Sequence, residues 1–450
     1  MPGILDSSAP TAVSEPRLRL ANCLWEVTSP QTILAASSLG ATERLQRLLE
    51  RYRTLLASLG LLESLEAVVS SQSLVARFML IHSPFEFLLA QLDEDRQRER
   101  EDHDYLEERV KLICLTPCWA SRAPFTMTLR KRCLLKPVPI HYTNLILDLR
   151  EFSRNEFGVA SSNGAVRFPG ESSPHDFAWD EPLCLLRFSM GHAPFLLRNP
   201  ADYVVYSSKN VIKAEKILSE DSSTYAIQYQ GEVFEEVVGI VEKAQALIQA
   251  YQPALLTELR FFVRAFGMDT SLEGNAKTLY CSTLTQPGLV QMAPYLLGAP
   301  EGMKVEKRGD PLLAMLVAAQ IIHEGLHQKH YYLNRCGDTE PANERQHGFI
   351  RPEFSEVQIA CPWTQNQTRC LHLFFTLALS VGFEVLFLEH LLHTQRLRSD
   401  EQDFFKRRLK RKRRYVLALL VQAELLRHCF SAEGQIVLGE LSRLFGYQTT

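Results

Sequence analysis

Asp310 to Leu333 reads as a strongly apolar stretch, nearly all apolar from Leu312 to Ile322, and this run decides much of what can be built around it. It opens on Asp310 and Pro311, a good N-cap followed by a residue suited to the first helical position, so a long buried helix is predicted. Into that helix the sequence sets His323-Glu324-Gly325-Leu326-His327. Residues four apart share one helix face, so both imidazoles can reach one point in space. Two imidazoles buried among aliphatic side chains are costly unless something binds them, and a metal ion on His323 and His327 would do so. Glu324 lies beside the first histidine, where its carboxylate can help position a substrate or act on a metal-bound water.

A third donor is needed. His330 is a turn further on, with a surface position as its plainer reading, and His347 falls in a polar loop. His372 is the sharper candidate, because it interrupts an apolar stretch, Leu371-His372-Leu373-Phe374-Phe375, expected to lie in a second buried helix over 368–393. Its alternative is a core histidine bonded to a backbone carbonyl. Glu384, a carboxylate amid Gly382-Phe383-Glu384-Val385-Leu386, is the runner-up, in the manner of the downstream glutamate of some zinc peptidases. Arg369 precedes His372 by three residues and would share its helix face; a guanidinium there could grip a carboxylate in bidentate fashion.

Elsewhere, helix is expected over 42–69 with a break at Gly60, over 73–92, over 231–266 and over 400–429. From Lys111 to about Gln230 the texture turns to alternating strands such as Phe125-Thr126-Met127-Thr128-Leu129. The expected fold is therefore α+β and predominantly helical. It has a helical N-terminal region at 1–110, a mixed β-rich region at 111–232 and a helical domain at 233–450 carrying a metal site on two buried helices. The charge block from Asp93 to Glu108 reads as a solvated face.

From Leu312 to Phe387 the chain resembles the HEXXH-motif family of peptide-modifying proteins found beside genes for ribosomally made peptides. The matching pieces are the apolar lead-in, His323-Glu324-Gly325-Leu326-His327-Gln328-Lys329, then Ala360-Cys361-Pro362-Trp363, then the apolar stretch with Arg369 and His372. The residue after the Pro-Trp pair is Thr364, where family members often carry arginine. The resemblance implies a metal-dependent oxygenase using Fe(II) and 2-oxoglutarate, which hydroxylates a β-carbon in a ribosomally made precursor peptide. Metal ligands would be His323, His327 and His372, with Arg369 holding the co-substrate. Imidazoles accept Zn(II) equally well, and zinc with Glu324 as general base would instead make a metallopeptidase. A third reading is a non-catalytic binding protein for peptide or nucleic acid.

Other signals set limits. A net charge of -3 argues against a dedicated nucleic-acid binder. Lys406 to Arg414 nonetheless holds eight basic residues in nine, read as a solvated helix face, a nucleic-acid patch or a trap for an acidic peptide. Ionisable groups at His372, Glu384, Glu389 and His390 argue against a membrane span over 370–392, and no membrane partner is expected. Ten scattered cysteines, of which only Cys114 and Cys118 lie close in sequence, suit reduced thiols in a cytoplasmic protein. The N-terminus, rich in Ser and Pro, does not read as a secretory signal.

Overall fold

Gly60 and Pro84 punctuate the helices of the N-terminal third. The computed structural model describes residues 15–97, 103–122, most of 124–208, 231–263, 265–269, 280–281, 288–292, 311–337, 349–354, 356–363 and 367–446. Helix α1 spans Glu15–Trp25 and α2 Pro30–Arg51. The helix expected over 42–69 is three pieces: the end of α2, then α3 (Arg53–Ser58) and α4 (Leu62–Ser70). Gly60, between the last two, takes φ +68°, a conformation that favours glycine. Helix α5 (Leu74–Ile81) starts at Ser73, whose Oγ accepts from the Ala76 amide at 3.2 Å. Pro84 separates it from α6 (Phe85–Gln97), so the single helix expected over 73–92 is two.

Helix α7 runs His103–Ser121, and the strand texture expected from Lys111 begins only at β1 (Phe125–Arg130). Burial of 111–121 explains the shift: its apolar residues are an α-helical core segment, with Trp119 fully buried. The charge block also ends inside the protein. Glu108 is wholly buried and accepts from the Arg130 amide at 2.9 Å and from Lys111 Nζ at 3.0 Å, so it joins α7 to β1.

Strands β2 (Val138–Pro139), β3 (Leu145–Leu147), β4 (Glu156–Ser162), β5 (Ala165–Arg167), β6 (His175–Asp180), β7 (Leu185–Phe188), β8 (Leu196–Arg198) and β9 (Val204–Ser208) follow. Helices α8 (Gly231–Tyr251) and α9 (Pro253–Phe262) divide the expected 231–266 helix at Pro253. Next come β10 (Ala265–Asp269), β11 (Tyr280–Cys281), β12 (Leu289–Met292) and α10 (Pro311–Gly337). Asp310, the expected N-cap, lies outside the described residues. The chain closes with β13 (Gln358–Ala360), β14 (Thr368–Cys370), α11 (Phe374–Thr394), α12 (Ser399–Leu425) and α13 (Ala432–Leu444). The fold is α+β and predominantly helical, with small sheets in the middle region.

Two compact units emerge, one of residues 41–329 and one of 1–40 with 330–450. In the first, α4 and α5 pack on α7, and α7 backs a five-stranded antiparallel sheet in the order β1-β4-β5-β6-β7. Along β1, Phe125, Met127 and Leu129 point inward and Thr126 and Thr128 outward. A second sheet, β11-β12-β10-β9, pairs β10 in parallel with both β9 and β12. Phe78 of α5 stacks on Phe261 of α9 at 4.0 Å between centroids and meets Phe262 edge-on, which fixes α9 against the N-terminal helices. In the second unit α1 packs on α13, and α11 packs along α12. Helix α11 is long and apolar enough to cross a membrane, and 72% of that span is buried inside the structure.

Candidate metal site

Helix α10 meets α9 closely at Gly325. A Cβ there would lie 2.5 Å from Leu259 Cδ2 and 3.2 Å from Val263 Cγ2, so any larger residue inside the motif would force those side chains to shift. Leu312, Leu313, Met315, Val317, Ile321, Ile322 and Leu326 of α10 are buried. Leu316, Gln320, His323 and His327 recur at helical spacing along the strip of α10 that is only half-buried. This corrects the expectation of deep burial. The motif lies on a buried helix, but its imidazoles are half-buried while Glu324 is buried.

His323 and His327 rings sit 4.7 Å apart with planes at 79°. One donor atom from each of His323, Glu324 and His327 lies within 4.8 Å of the other two. Gln320, one turn earlier, donates from Nε2 to Glu324 Oε1 at 2.7 Å and holds the carboxylate beside the rings. Beyond the motif, Gln328 Oε1 accepts from the Gly288 amide at 2.8 Å, where Gly288 takes φ +83° on entry to β12. Lys329 Nζ bonds Glu258 Oε1 of α9 at 2.8 Å, with both side chains buried. Removing one partner of such a pair costs about 3–5 kcal/mol, so α10 is anchored immediately after His327.

Sequence reasoning gave no individual role to Gln320, Gln328, Lys329 or Gly325. For the first three the signal was available: each is a polar residue interrupting apolar or helical sequence beside the motif, where burial demands a partner. Nothing in the sequence of α10 alone says that Leu259 approaches Gly325.

The remaining expected site residues have these surroundings. His330 is 1% exposed, not on the surface. Its Nδ1 meets Asn334 Nδ2 at 3.0 Å and the Thr376 hydroxyl. Arg369 is not on a helix. It lies exposed on β14, which pairs antiparallel with β13, and a short 3-10 turn over Leu371–Leu373 precedes α11. The shared helix face expected for Arg369 and His372 therefore does not form. The extended pairing Ile359 to Arg369 takes those residues into a hairpin instead. The His372 side chain and all of His347 lie outside the described residues. Glu384 is fully buried on α11 and engaged by two cations of α12: Arg408 Nη2 at 2.7 Å from Oε1 and Lys412 Nζ at 2.7 Å from Oε2. Burial is the chief influence on Lys412 and, with Arg408 beside it, holds its ammonium below the usual range despite Glu384.

Cys114 and Cys118 sit one turn apart in α7, both buried. Burial pushes the Cys118 thiol up to about 12, and burial with the neighbouring Cys118 raises Cys114 as well. Burial thus favours the protonated thiol at both positions. Cys114, Cys118, Cys361, Cys370 and Cys429 carry free thiols. Comparison with models of known protein families finds none that matches this chain, and comparison with curated proteins finds no match either.

Proposed function

We propose that the protein is a metal-dependent enzyme whose ion is held by His323 and His327. By the resemblance of residues 312–387, we propose it to be an Fe(II)/2-oxoglutarate oxygenase that hydroxylates a ribosomally made precursor peptide. The observation that carries the metal reading is the approach of three donors from one helix to within 4.8 Å. Two imidazole nitrogens and a carboxylate oxygen are a donor set suited to iron or zinc. Iron held there would supply oxygen activation, whereas zinc would supply an activated water. The protein's own contribution is to orient. Gly325 lets α10 seat against α9, Gln320 holds the Glu324 carboxylate beside the rings, and the Lys329–Glu258 pair fixes the helix beyond them. The half-buried strip admits substrate to that face.

Gln320 favours one second reading. A carboxylate held beside the two imidazoles can accept a proton during hydrolysis, which makes Glu324 the general base of a zinc peptidase.

Protein purified without oxygen and supplied with both metals should bind one ion per chain, lost in His323→Ala and His327→Ala. Succinate release that needs both 2-oxoglutarate and peptide, with the peptide gaining one oxygen atom, would support the oxygenase. Cleaved peptide without the keto-acid would support the peptidase. Glu324→Gln should abolish cleavage but only weaken hydroxylation. Metal content unchanged in His323→Ala would end both readings. His372→Ala decides whether that histidine is a further ligand.

A further inference from the structure

Helix α12 carries a surface that the proposed metal chemistry does not use. Its basic run divides by face. Arg408 and Lys412 turn inward to the buried Glu384. Lys406, Arg407, Lys410, Arg411 and Arg414 are exposed and make no ion pair with any described residue. Arg413 is 57% exposed and pairs with Glu389. Asp400 and Asp403, exposed in the preceding turns, are acidic residues of this face.

At roughly 100° per residue these cations fall within one arc of the helix, opposite Phe405, Val416, Leu419 and Ala423, which are buried. The same arc continues into aliphatic residues: Leu417, Val421 and Leu425 are 42%, 41% and 76% exposed. One face of α12, about 29 Å long, is thus cationic over its first half and apolar over its second. Beside it Trp363, 36% exposed, packs edge-on against Tyr415 at 5.7 Å.

We propose that this face docks on an anionic lipid bilayer surface, which revises the expectation that the protein has no membrane partner. Charge complementarity selects an anionic occupant. The apolar half selects among anions, since a nucleic-acid backbone offers nothing to Leu417, Val421 and Leu425. A bilayer surface offers both partners at once. Mobile anionic headgroups gather under the cations, and the aliphatic row enters the boundary between headgroups and acyl chains. An exposed indole beside the row suits the same boundary. The inference is independent of the metal site.

The test is co-sedimentation of the full chain with phosphatidylcholine vesicles, with and without phosphatidylserine. Binding should require phosphatidylserine and weaken with salt. The quadruple variant Lys406→Glu, Arg407→Glu, Lys410→Glu, Arg411→Glu should lose about tenfold or more in partitioning. Leu417→Ser, Val421→Ser, Leu425→Ser should lose binding most clearly at the higher salt concentrations. Melting curves matching the wild type would show that these exposed changes leave the fold intact. The salt and lipid dependence of the unaltered protein tests the idea without any variant. Equal binding to neutral vesicles, no binding to anionic vesicles at low salt, or capture of random-sequence DNA without vesicle binding would overturn the proposal.

Discussion

Replacing Gly325 with alanine separates two effects that usually travel together. Alanine is the better helix former by about 1 kcal/mol, so in an open helix the change would stabilise. Here the new methyl would sit 2.5 Å from Leu259 Cδ2, where an ordinary carbon contact is about 3.5–4.0 Å. Leu259 is buried and cannot swing into water, so it must change rotamer or α9 must give by about 1 Å. Overpacking of this kind costs about 1–3 kcal/mol, which leaves a net loss of up to about 2 kcal/mol. Leu259→Ala removes the closer contact at its own cost of about 2–5 kcal/mol, and in that background the Gly325 change should turn stabilising by up to about 1 kcal/mol, less what Val263 Cγ2 at 3.2 Å still opposes. Urea unfolding followed by circular dichroism gives all four corners of this double-mutant cycle. Hydrogen exchange at residues 320–329 reports on α10 itself. If Gly325→Ala stabilises the wild type as much as it stabilises the Leu259→Ala protein, the close approach of α9 is not what requires glycine. The account of how the two imidazoles are positioned would then fail.

Glu384→Leu should destabilise by about 3–5 kcal/mol in urea unfolding, because it leaves Arg408 and Lys412 facing each other without their shared carboxylate; a loss below 1 kcal/mol would count against the buried cluster. Lys412 titrates below 10.5 in the folded protein, so between its lowered value and 10.5 the unfolded chain binds more protons. Stability relative to Lys412→Met should therefore rise with pH through that window, and a fall would contradict the desolvation. At pH 8 the Cys118 thiolate fraction is on the order of one in ten thousand, so Cys118 should resist a thiol reagent until the protein unfolds; rapid labelling of the native protein would refute its burial. Arg369→Ala should raise the KM for 2-oxoglutarate with little change in stability if the arginine serves the keto-acid, and an unchanged KM removes it from that role.

What the sequence made legible followed from periodicity and from residues that punctuate it. The helical ends and strand-rich middle were readable because alternation in Phe125–Leu129 and three-to-four spacing in Leu45–Leu56 each match one backbone repeat. Pro84 and Pro253 were equally visible, yet their force was underestimated, and two expected helices became four. Arg369 shows a different failure. The apolar run that follows it invites extension of α11 backward, but pairing with β13 takes up the backbone groups of Thr368–Cys370, and no local pattern reveals a partner ten residues away. His330 was misjudged for a related reason. A histidine near the end of a predicted helix looks exposed until Asn334 and Thr376 supply its partners.

The same reasoning explains how one helix can be both core and site. Aliphatic residues cover most of α10, and this bulk fixes its position to within what close packing allows. The strip through Leu316, Gln320, His323 and His327 is the part that packing does not consume. Gln320, His323 and His327 on that strip avoid the cost of full burial, whereas the buried polar residues of α10, such as Gln328, Lys329 and His330, are each matched by a hydrogen-bond partner. Precision at the imidazoles therefore comes from the buried faces, through Gly325 against Leu259 and Lys329 against Glu258, and access comes from the face left half-open. It follows that changes on the buried faces should disturb metal affinity together with stability. Changes at His323 or His327 should remove the metal and leave the unfolding transition of the metal-free protein nearly where it was. Metal-free stability that fell by several kcal/mol in His323→Ala would mean that the ring is part of the core rather than part of a site.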